Sequence, residues 1–366
     1  MKKLIKIATI IGARPQFVKA AVVSKALKHT DKFNEIILHT GQHYDENLSN
    51  VFFEQLEIPA AQYHLGVGSG SHAVQTARML EGIESVLLQE RPQLVLVYGD
   101  TNSTLAGALV ASKLKLPVAH VEAGLRSRNR DMPEEINRIV ADHLSTLLFA
   151  PTKGAVAQLH SEGIAPNSIH LSGDVMYDAA LQFAEKSESK SQILTELQLK
   201  DSTYALCTVH RAENTDNELR LRAIFEVLSE VSKTMPVVLP LHPRTRNSLQ
   251  HIDNGRFLAD GIRILPPAGY LDMIALQKNA AVIVTDSGGV QKEAFFYRIP
   301  CVTLRNETEW PELVELGWNK LIDPTDVSIA AQSILGSIGR LGIRDAQPYG
   351  GGNAANRIAD VLAECL

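Results

Sequence analysis

The chain has 366 residues, of which 45% are hydrophobic and 21% are charged, and its formal net charge is −5. This length exceeds what one hydrophobic core usually organises, so we expect two domains, and the composition excludes disorder, collagen and coiled coil. The slight acidic surplus argues against nucleic acid as a main partner. Its three cysteines are far apart and form no CxxC pair, which argues against a disulfide framework or zinc knuckle.

The first residues have some features of a signal peptide, because three lysines precede the apolar run Ile7–Ile11. The run is short, however, and no small-residue cleavage site follows it. No stretch approaches the ~18 uninterrupted apolar residues of a membrane span. We therefore expect a cytoplasmic protein in a reducing compartment, with no membrane partner.

Short β-branched runs alternate with longer amphipathic segments along the first half of the chain. The predicted strands are Leu4–Ile11, Glu35–Thr40, Gln93–Gly99, Pro117–Glu122, Thr146–Ala150 and Ile169–Ser172. The predicted helices between them include Phe17–Lys28, Ser71–Leu88 and Thr101–Lys113. Continuous apolar strands separated by helices predict a parallel sheet covered on both faces.

A polar segment, Glu185–Asp201, separates this series from a second one and marks the best domain boundary. The second series of predicted strands is Tyr204–Val209, Pro236–Leu241, Ile262–Leu265, Ala281–Thr285, Cys301–Leu304 and Lys320–Ile322. The sequence therefore predicts an α/β protein with two doubly wound, Rossmann-like domains that face each other across a cleft. In that architecture ligands bind at the carboxyl ends of the strands.

Three acids and an arginine follow the predicted strands of the first domain. Asp100 comes after Leu94–Tyr98, where an aspartate is commonly only a helix N-cap. Glu122 ends a predicted core strand, so helix N-capping does not explain the presence of its carboxylate. Glu134 and Arg138 stand four residues apart at the start of a helix, a spacing that is also typical of a solvated pair. Together these residues favour acid/base chemistry.

The turn after the first strand has features of an anion site. Arg14 and Lys19 bracket a predicted helix start that has Pro15 in its first turn. Cations beside a helix N-terminus attract anions, but the same pattern fits a plain strand–helix turn equally well.

The second domain places cations and glycines where the first places acids. His210 and Arg211 follow its first strand, and a further histidine and arginine follow its second. After Ala281–Thr285 comes Asp286–Glu293, in which Gly288 and Gly289 allow backbone N–H groups to approach a phosphate and Ser287 adds a hydroxyl. Glu293 lies within reach of a ribose diol. A glycine-rich turn is the alternative interpretation, but the pattern favours a nucleoside diphosphate site and hence a nucleotide-sugar enzyme.

Two other motifs do not support a cofactor. Gly68–Ala73 fits the GxGxxA dinucleotide fingerprint, but it follows only the short run Gln62–Leu65 and lacks a strand-end acid about 20 residues on. The twelve histidines contain no HxH or HExxH pattern. We expect neither NAD nor a metal.

Taken together and in order, these motifs resemble the non-hydrolysing UDP-N-acetylglucosamine 2-epimerases over essentially the whole chain. The matching segments are GARPQFVK, GQH at Gly41–His43, YGDTNST, HVEAGLRS, MPEEINR, VHRAEN, LHPRT, TDSGGVQKEA, TEWPE and YGGG at Tyr349–Gly352. The resemblance implies the GT-B fold of glycogen phosphorylase-like glycosyltransferases. It divides the chain into residues 1–185, residues 186–352 and a C-terminal helix, residues 353–366, that returns to the first domain.

The resemblance also implies a homodimer that inverts C2 of a UDP-linked acetamido sugar without NAD or metal. The C2 proton is removed as UDP leaves C1, and UDP adds back to the resulting glycal while a proton reaches the other face of C2. The resemblance implies that Asp100, Glu122 and Glu134 are the acid/base carboxylates and that Arg138 orients them. His210 would contact the departing diphosphate, with Arg14 and Lys19 nearby. The resemblance also implies that the phosphates are bound by Ser287, Gly288 and Gly289, and the ribose by Glu293.

Three segments depart from the family pattern. Trp310 stands where many members have a phosphate-contacting arginine, and Lys292 stands where they often have an acid. Gln42–Asp45 differs from a region that binds an activating second substrate molecule in bacterial members, which leaves allosteric activation open.

The combination of ARPQFVK with TEWPE most resembles the branch that acts on UDP-2,3-diacetamido-2,3-dideoxyglucuronate and feeds surface polysaccharide synthesis, lipopolysaccharide included. Its substrate has a C6 carboxylate. Lys292 in place of an acid removes a repulsion, and one of Arg126, Arg128 and Arg130, which follow the Glu122 turn, would pair with this carboxylate. The alternative is that these cations coat solvated faces and that Trp310 only repacks the edge of the cleft.

Four other functions stay open at this point. Epimerisation of plain UDP-N-acetylglucosamine differs only in the substrate branch. A hydrolysing epimerase would release free sugar and UDP, and the sequence disfavours it only by family pattern. A GT-B glycosyltransferase would need one base and an acceptor site, and turnover without an acceptor would exclude it. A catalytically silent sensor would leave C2 untouched.

Overall fold

The structure is a computed structural model that describes residues 4–42, 58–253 and 261–366. The chain divides into two units, one formed by Met1–Ala179 with Gln347–Leu366 and the other by Ala180–Ala346. The predicted divisions at residues 185 and 352 lie near these boundaries. The expectations for His43, Tyr44 and Asp45 concern residues outside the described ranges.

In the first unit, the described residues form a parallel sheet with helices between its strands. The strands are β1 (Ile5–Ile11), β2 (Phe33–His39), β3 (Tyr63–His64), β4 (Leu94–Tyr98), β5 (Val118–Val121), β6 (Leu147–Ala150) and β7 (Ile169–Leu171). The helices are α1 (Arg14–His29), α2 (His72–Glu90), α3 (Asn102–Lys113), α4 (Pro133–Leu144) and α5 (Lys153–Ser161), with a 3₁₀ turn at Pro166–Ser168. A further helix, α6 (Val175–Lys190), begins in this unit and continues past Ala179 into the second.

The strand order of this sheet is β3-β2-β1-β4-β5-β6-β7. The chain winds outward from β1 in one direction and from β4 in the other, so the order reverses between these two strands. β4 is buried along its whole length, and β1 is buried except at its first two residues. In such sheets the ligand crevice lies outside the carboxyl ends of the strands at the point of reversal.

The second unit repeats this arrangement. Its strands are β8 (Ala205–Thr208), β9 (Val237–Pro240), β10 (Ile262–Leu265), β11 (Val282–Thr285), β12 (Cys301–Thr303) and β13 (Asn319–Leu321). Its helices are α7 (Ile193–Glu196), α8 (Ala212–Thr215), α9 (Glu218–Ser232), α10 (Pro243–Asp253), α11 (Tyr270–Lys278), α12 (Gly288–Phe296), α13 (Pro311–Glu315) and α14 (Val327–Leu335). The parallel order β10-β9-β8-β11-β12-β13 reverses between β8 and β11.

A last helix, α15 (Ala354–Cys365), belongs to the first unit and packs against α1. The carboxylate of Asp178 accepts a hydrogen bond from the backbone nitrogen of Ala355 at 2.7 Å, which anchors the first turn of this helix. No helix among the described residues is long and apolar enough to cross a membrane.

The predicted α/β class and its two Rossmann-like sheets are confirmed. Each predicted strand is present with ends that differ by at most a few residues, because a strand buried on both faces is a continuous apolar run. The two-residue strand β3 was not predicted. It lies at the sheet edge and is partly exposed, so it has no apolar run of its own.

Candidate active-site residues

The turn after β1 is fixed by Gln16, which is almost fully buried. Its side-chain oxygen accepts hydrogen bonds from the backbone nitrogens of Gly12 and the next residue at 2.8 and 3.1 Å, and its Nε2 donates to the carbonyl of Tyr98 at 2.9 Å. Gly12 has no room for a side chain, because a Cβ there would overlap the hydroxyls of Thr40 and Ser103. The ends of β1 and β4 are therefore held together where the strand order reverses.

Arg138 of α4 holds Asp100 at the end of β4. Its Nε and Nη2 lie 3.0 and 2.6 Å from Oδ2 of Asp100, and its Nη1 lies 2.9 Å from Oε2 of Glu135. The solvated i, i+4 pair with Glu134, the alternative interpretation of this spacing, is not formed, because the guanidinium turns toward Asp100 instead. Glu134 is half-buried in the first turn of α4 and has no ion-pair partner among the described residues.

The acid that fixes Arg138 is Glu135, which sequence reasoning passed over. Its carboxylate is buried and accepts hydrogen bonds from the backbone nitrogens of Ser127 and Arg128 at 2.8 Å each. Burial raises the pKa of Glu135, but these bonds and the one from Arg138 outweigh it, so the pKa lies below its usual value. The only feature of the sequence that pointed to Glu135 was its place in the MPEEINR segment, directly after Glu134.

Glu122 forms an ion pair with Lys19, and the side chains of both residues are largely buried. Glu122 follows β5 with a φ of +73°, a conformation that is strained for a residue other than glycine. Gly99 makes room for the pair, since a Cβ there would lie 3.1 Å from Nζ of Lys19 and 3.2 Å from Oε2 of Glu122. The Glu122 carboxylate thus lies beside the turn that carries Asp100.

The two cations expected to bracket the first turn of α1 have different environments. Lys19 points to Glu122, whereas Arg14 is the exposed first residue of the helix. The structure therefore places one cation next to a candidate catalytic acid and leaves the other at the helix N-terminus, where an anion is favoured.

Arg126 is not available to a substrate carboxylate, contrary to one of our expectations. Its buried guanidinium lies 2.7 Å from Asp142 and makes two bonds, of 2.8 and 2.7 Å, with Glu162. Arg128 and Arg130 are exposed. Of the three arginines considered, only these two have accessible side chains.

In the second unit, His210 is held by Asp286, which is fully buried at the end of β11. Nδ1 of His210 lies 3.0 Å from Oδ1 of Asp286, and the backbone nitrogens of His210 and Arg211 bond to the same carboxylate at 3.0–3.1 Å. Asn214 donates to it at 3.0 Å. With Nδ1 on Asp286 and the ring 40% exposed, Nε2 is the nitrogen that faces outward.

Burial raises the pKa of Asp286, but the hydrogen bonds from His210 and Asn214 outweigh it and hold the pKa below its usual value. The carboxylate therefore stays charged and fixes the ring orientation of His210. Sequence reasoning missed this role, although Asp286 precedes Ser287 in the same motif. His210 and Asp286 meet because β8 and β11 are adjacent parallel strands, in which Thr208 is paired with Thr285.

The predicted phosphate-binding segment is the start of α12. The hydroxyl of Ser287 caps the helix by accepting from the backbone nitrogen of Val290 at 3.5 Å, which leaves its proton free to be donated. A Cβ at Gly288 would lie 3.3 Å from a carboxylate oxygen of Glu309, so a side chain there would crowd that carboxylate. A helix N-terminus with exposed amides suits a phosphate.

Two arginines converge on Glu309 beside this segment, an arrangement that the sequence did not predict. Arg211 lies 2.9 Å from its Oε1, and the buried Arg305 makes two bonds of 2.9 and 3.0 Å. Burial raises the pKa of Glu309, but the pairing with Arg305 and Arg211 holds it below its usual value.

Lys292 and Trp310, the two departures from the family pattern, contact each other. Nζ of Lys292 lies 4.3 Å from the centroid of the Trp310 ring, and the lysine is only 4% exposed. The indole Nε1 donates to the carbonyl of Gly288 at 3.0 Å. Lys292 therefore does not coat a solvated face, and that alternative for it is wrong.

Glu293 lies further along α12 and accepts a hydrogen bond of 2.6 Å from Gln277. Burial raises the pKa of its carboxyl group, an effect that the bond from Gln277 only partly offsets. Tyr270 and Tyr297 lie near it, and burial raises the pKa of both phenols. A carboxyl group in such surroundings can exchange hydrogen bonds with a sugar diol.

The segments expected not to bind a cofactor or metal are placed as follows. Gly68–Ala73 follows the edge strand β3 and runs into the first two residues of α2, which Ser71 caps. Within residues 4–42, 58–253 and 261–366, no group of three or more histidine, cysteine, aspartate or glutamate side chains is arranged to hold a metal ion.

Comparison with known proteins gives a consistent result over the whole chain. The sequence profile of the UDP-N-acetylglucosamine 2-epimerase family matches residues 25–363. A UDP-2,3-diacetamido-2,3-dideoxy-D-glucuronate 2-epimerase of Pseudomonas aeruginosa is 51% identical over 362 residues, with 98% of this chain and 99% of the relative covered. A UDP-N-acetylglucosamine 2-epimerase of Methanocaldococcus jannaschii is 45% identical, with 98% of each chain covered.

Solved structures agree with these relatives. The crystal structure of the M. jannaschii UDP-GlcNAc 2-epimerase in complex with UDP-GlcNAc and UDP has a TM-score of 0.87 and 43% identity, covering 98% of this chain and 100% of that one. The Neisseria meningitidis enzyme bound to UDP-GlcNAc has a TM-score of 0.86 and 30% identity, with the same coverage. The expected GT-B class is thereby confirmed. The chain belongs to the UDP-N-acetylglucosamine 2-epimerase family, and it is an isomerase.

Proposed function

We propose that this enzyme is a non-hydrolysing epimerase that inverts C2 of a UDP-linked 2-acetamido sugar by eliminating and re-adding UDP. The observation that carries the proposal is the division of groups between the two units. One unit has acids at the ends of adjacent strands, each held by a cation, and the other has an oriented histidine and a helix N-terminus suited to a diphosphate. Two relatives that cover 98% of this chain are 2-epimerases of UDP-linked sugars.

In the proposed reaction, a carboxylate removes the proton from C2 while the C1–O bond to UDP breaks and its electron pair leaves with the phosphate oxygen. A C1=C2 double bond results. UDP then adds back to C1 as a second acid delivers a proton to the opposite face of C2. Asp100, Glu122 and Glu134 supply the acid and base, and the ion pairs with Arg138 and Lys19 fix two of these carboxylates in position.

The second unit stabilises the charge that develops on UDP. Nε2 of His210 faces outward because Asp286 holds the other ring nitrogen, so the ring can donate to a diphosphate oxygen as the bond to C1 breaks. Ser287, Gly288 and Gly289 offer a hydroxyl and backbone amides to the phosphates, with Arg14 and Lys19 as further cations near the reaction. Glu293 takes the ribose diol.

The first expected result concerns the fate of the C2 hydrogen. A UDP-sugar incubated with the enzyme in D2O should acquire deuterium at C2 and stay linked to UDP, because the proton that returns comes from a group that exchanges with solvent. Proton NMR of the recovered sugar measures both properties. Epimerised product that kept its original hydrogen would exclude elimination, and accumulation of free sugar with UDP would identify a hydrolysing epimerase instead.

We further propose UDP-2,3-diacetamido-2,3-dideoxyglucuronate as the substrate, which is converted to its manno epimer. The 51% identity with the P. aeruginosa enzyme of that specificity supports this branch, while the 45% identity with a UDP-N-acetylglucosamine 2-epimerase supports the alternative. Because Arg126 and Lys292 are buried in other contacts, Arg128 and Arg130 are the remaining candidates from our set for the C6 carboxylate.

The acidic sugar should be preferred over UDP-N-acetylglucosamine by ~10-fold or more in kcat/KM, since one charge-assisted contact can supply that difference. Arg128→Gln and Arg130→Gln should each be assayed separately on both sugars. The variant that lacks the arginine contacting the C6 carboxylate should show a smaller preference for the acidic sugar. Arg78→Gln, which changes an exposed arginine on α2, is the matched control. Efficient turnover of UDP-N-acetylglucosamine without turnover of the acidic sugar would assign the enzyme to the other branch.

The resemblance to the family supports a homodimer in the cytoplasm that serves surface polysaccharide synthesis, and lipopolysaccharide is one such product. The enzyme is proposed to need neither NAD nor a metal, since the acids, cations and histidine described above account for every proton and charge in the reaction.

A further inference from the structure

A buried ion network lies behind the two acid-bearing turns of the first unit. At its centre is His120, a fully buried residue of β5. Its Nδ1 lies 2.7 Å from Oδ1 of Asp142, and its Nε2 lies 2.7 Å from the carbonyl oxygen of Gly99. A carbonyl oxygen only accepts, so Nε2 of His120 donates to Gly99, and Nδ1 bonds to the carboxylate of Asp142.

Asp142 connects this histidine to the second turn. It belongs to α4, the helix that also carries Arg138, and its Oδ2 accepts from the backbone nitrogen of Gly124 at 3.0 Å and pairs with Arg126 at 2.7 Å. Burial raises the pKa of Asp142, but the bonds from His120 and Arg126 outweigh it, so the pKa lies below its usual value. One carboxylate therefore joins the turn at 99–100 to the turn at 122–124.

Both turns have backbone conformations that need such support. Gly99, Glu122 and Gly124 have φ angles of +61°, +73° and +83°. A glutamate with a positive φ persists only where its surroundings hold it there. The amide of Gly124 is anchored on Asp142, two residues after Glu122, and the carbonyl of Gly99 is anchored on His120, one residue before Asp100.

We propose that His120 and Asp142 are positioning residues, which set the Gly99–Asp100 turn and the Glu122–Gly124 turn at a fixed separation so that their carboxylates reach C2 together. The inference rests on the proposed function, because it assumes that Asp100 and Glu122 act at C2. The alternative is a purely structural role, in which the network only satisfies buried polar groups. The positioning role predicts that a variant which still folds loses catalytic rate, whereas the structural role predicts that it does not.

Two conservative replacements separate the two bonds of His120. The side-chain nitrogen of asparagine matches Nδ1 of histidine, so His120→Asn keeps the bond to Asp142 and loses the one to Gly99. The side-chain nitrogen of glutamine matches Nε2, so His120→Gln keeps the bond to Gly99 and loses the one to Asp142. His160→Asn, a change of an exposed histidine on α5, is the matched control.

We expect His120→Asn to lower kcat roughly 10- to 100-fold, because displacements of about 1 Å at reacting groups have effects of this size. KM and the affinity for UDP, measured by calorimetry, should change less than about twofold, since the diphosphate groups lie in the other unit. His120→Gln, which breaks the same link at Asp142, should lower kcat as well. The ratio of C2-deuterated starting sugar to epimer in D2O should also change, because the two acids must be placed on opposite faces of C2.

The thermal unfolding temperature of each variant shows whether a change in kcat accompanies a loss of stability. A purely structural role predicts that both variants, assayed well below their unfolding temperatures, keep the wild-type kcat and the wild-type exchange ratio. That result would overturn the positioning proposal and leave the proposed function intact. Absence of C2 exchange in the wild-type enzyme would instead overturn the proposed function itself, and the positioning proposal with it.

Discussion

Replacing Glu122 by glutamine is expected to lower kcat by about 10²–10⁴-fold, the loss typical of a general acid or base. Glutamine has the same shape as glutamate and can still accept a hydrogen bond from Lys19, so the turn after β5 should keep its conformation. What it loses is the ability to take up or release a proton. The affinity for UDP and the thermal unfolding temperature should stay near those of the wild type.

Steady-state rates with the UDP-sugar, calorimetric UDP binding and thermal unfolding measure these three properties. Glu84→Gln changes an exposed glutamate on α2 and serves as the control. A second comparison tests whether the loss of kcat comes only from leaving the charge of Lys19 without its carboxylate partner. In that case, the double variant Lys19→Met, Glu122→Gln would regain the wild-type rate. Near-wild-type turnover by Glu122→Gln would assign Glu122 a structural role instead.

His210→Asn is expected to lower kcat by about 10²–10³-fold, the loss seen when a donor to a developing anion is removed. The side-chain nitrogen of asparagine can keep the bond that Nδ1 makes to Asp286, so the turn after β8 is preserved. No group then remains at the position of Nε2. Because the charge on UDP is larger in the transition state than in the bound sugar nucleotide, the rate should fall more than the affinity for UDP.

The comparison is between kcat and the dissociation constant of UDP for the same variant. The affinity should weaken less than about tenfold, since the amides at the start of α12 still bind the phosphates. His160→Asn is again the control. An equal loss in rate and in affinity would mean that His210 binds the ground state only.

Much of the fold could be predicted because its strands are buried on both faces. Runs such as Leu94–Tyr98 and Leu147–Ala150 are apolar from end to end, and the helices between the strands have amphipathic patterns. The turns after these strands could be predicted as candidate sites for the same reason, since parallel strands all present their carboxyl ends at one edge. The strand β3 could not, because two partly exposed residues have no pattern.

By itself, the sequence determined the two sheets, the turns that carry polar residues and the motifs that match the 2-epimerase family. Only the tertiary structure decided the partner of each charge: Lys19 with Glu122, Asp286 with His210, and Arg126 with Glu162. Sequence spacing reports neighbours within one helix or strand, so it offered a solvated pair of Glu134 with Arg138 as an alternative, and that pair does not form. Charges far apart in the chain meet only because adjacent strands and their turns bring them together, and which strands are adjacent depends on the packing of the whole sheet.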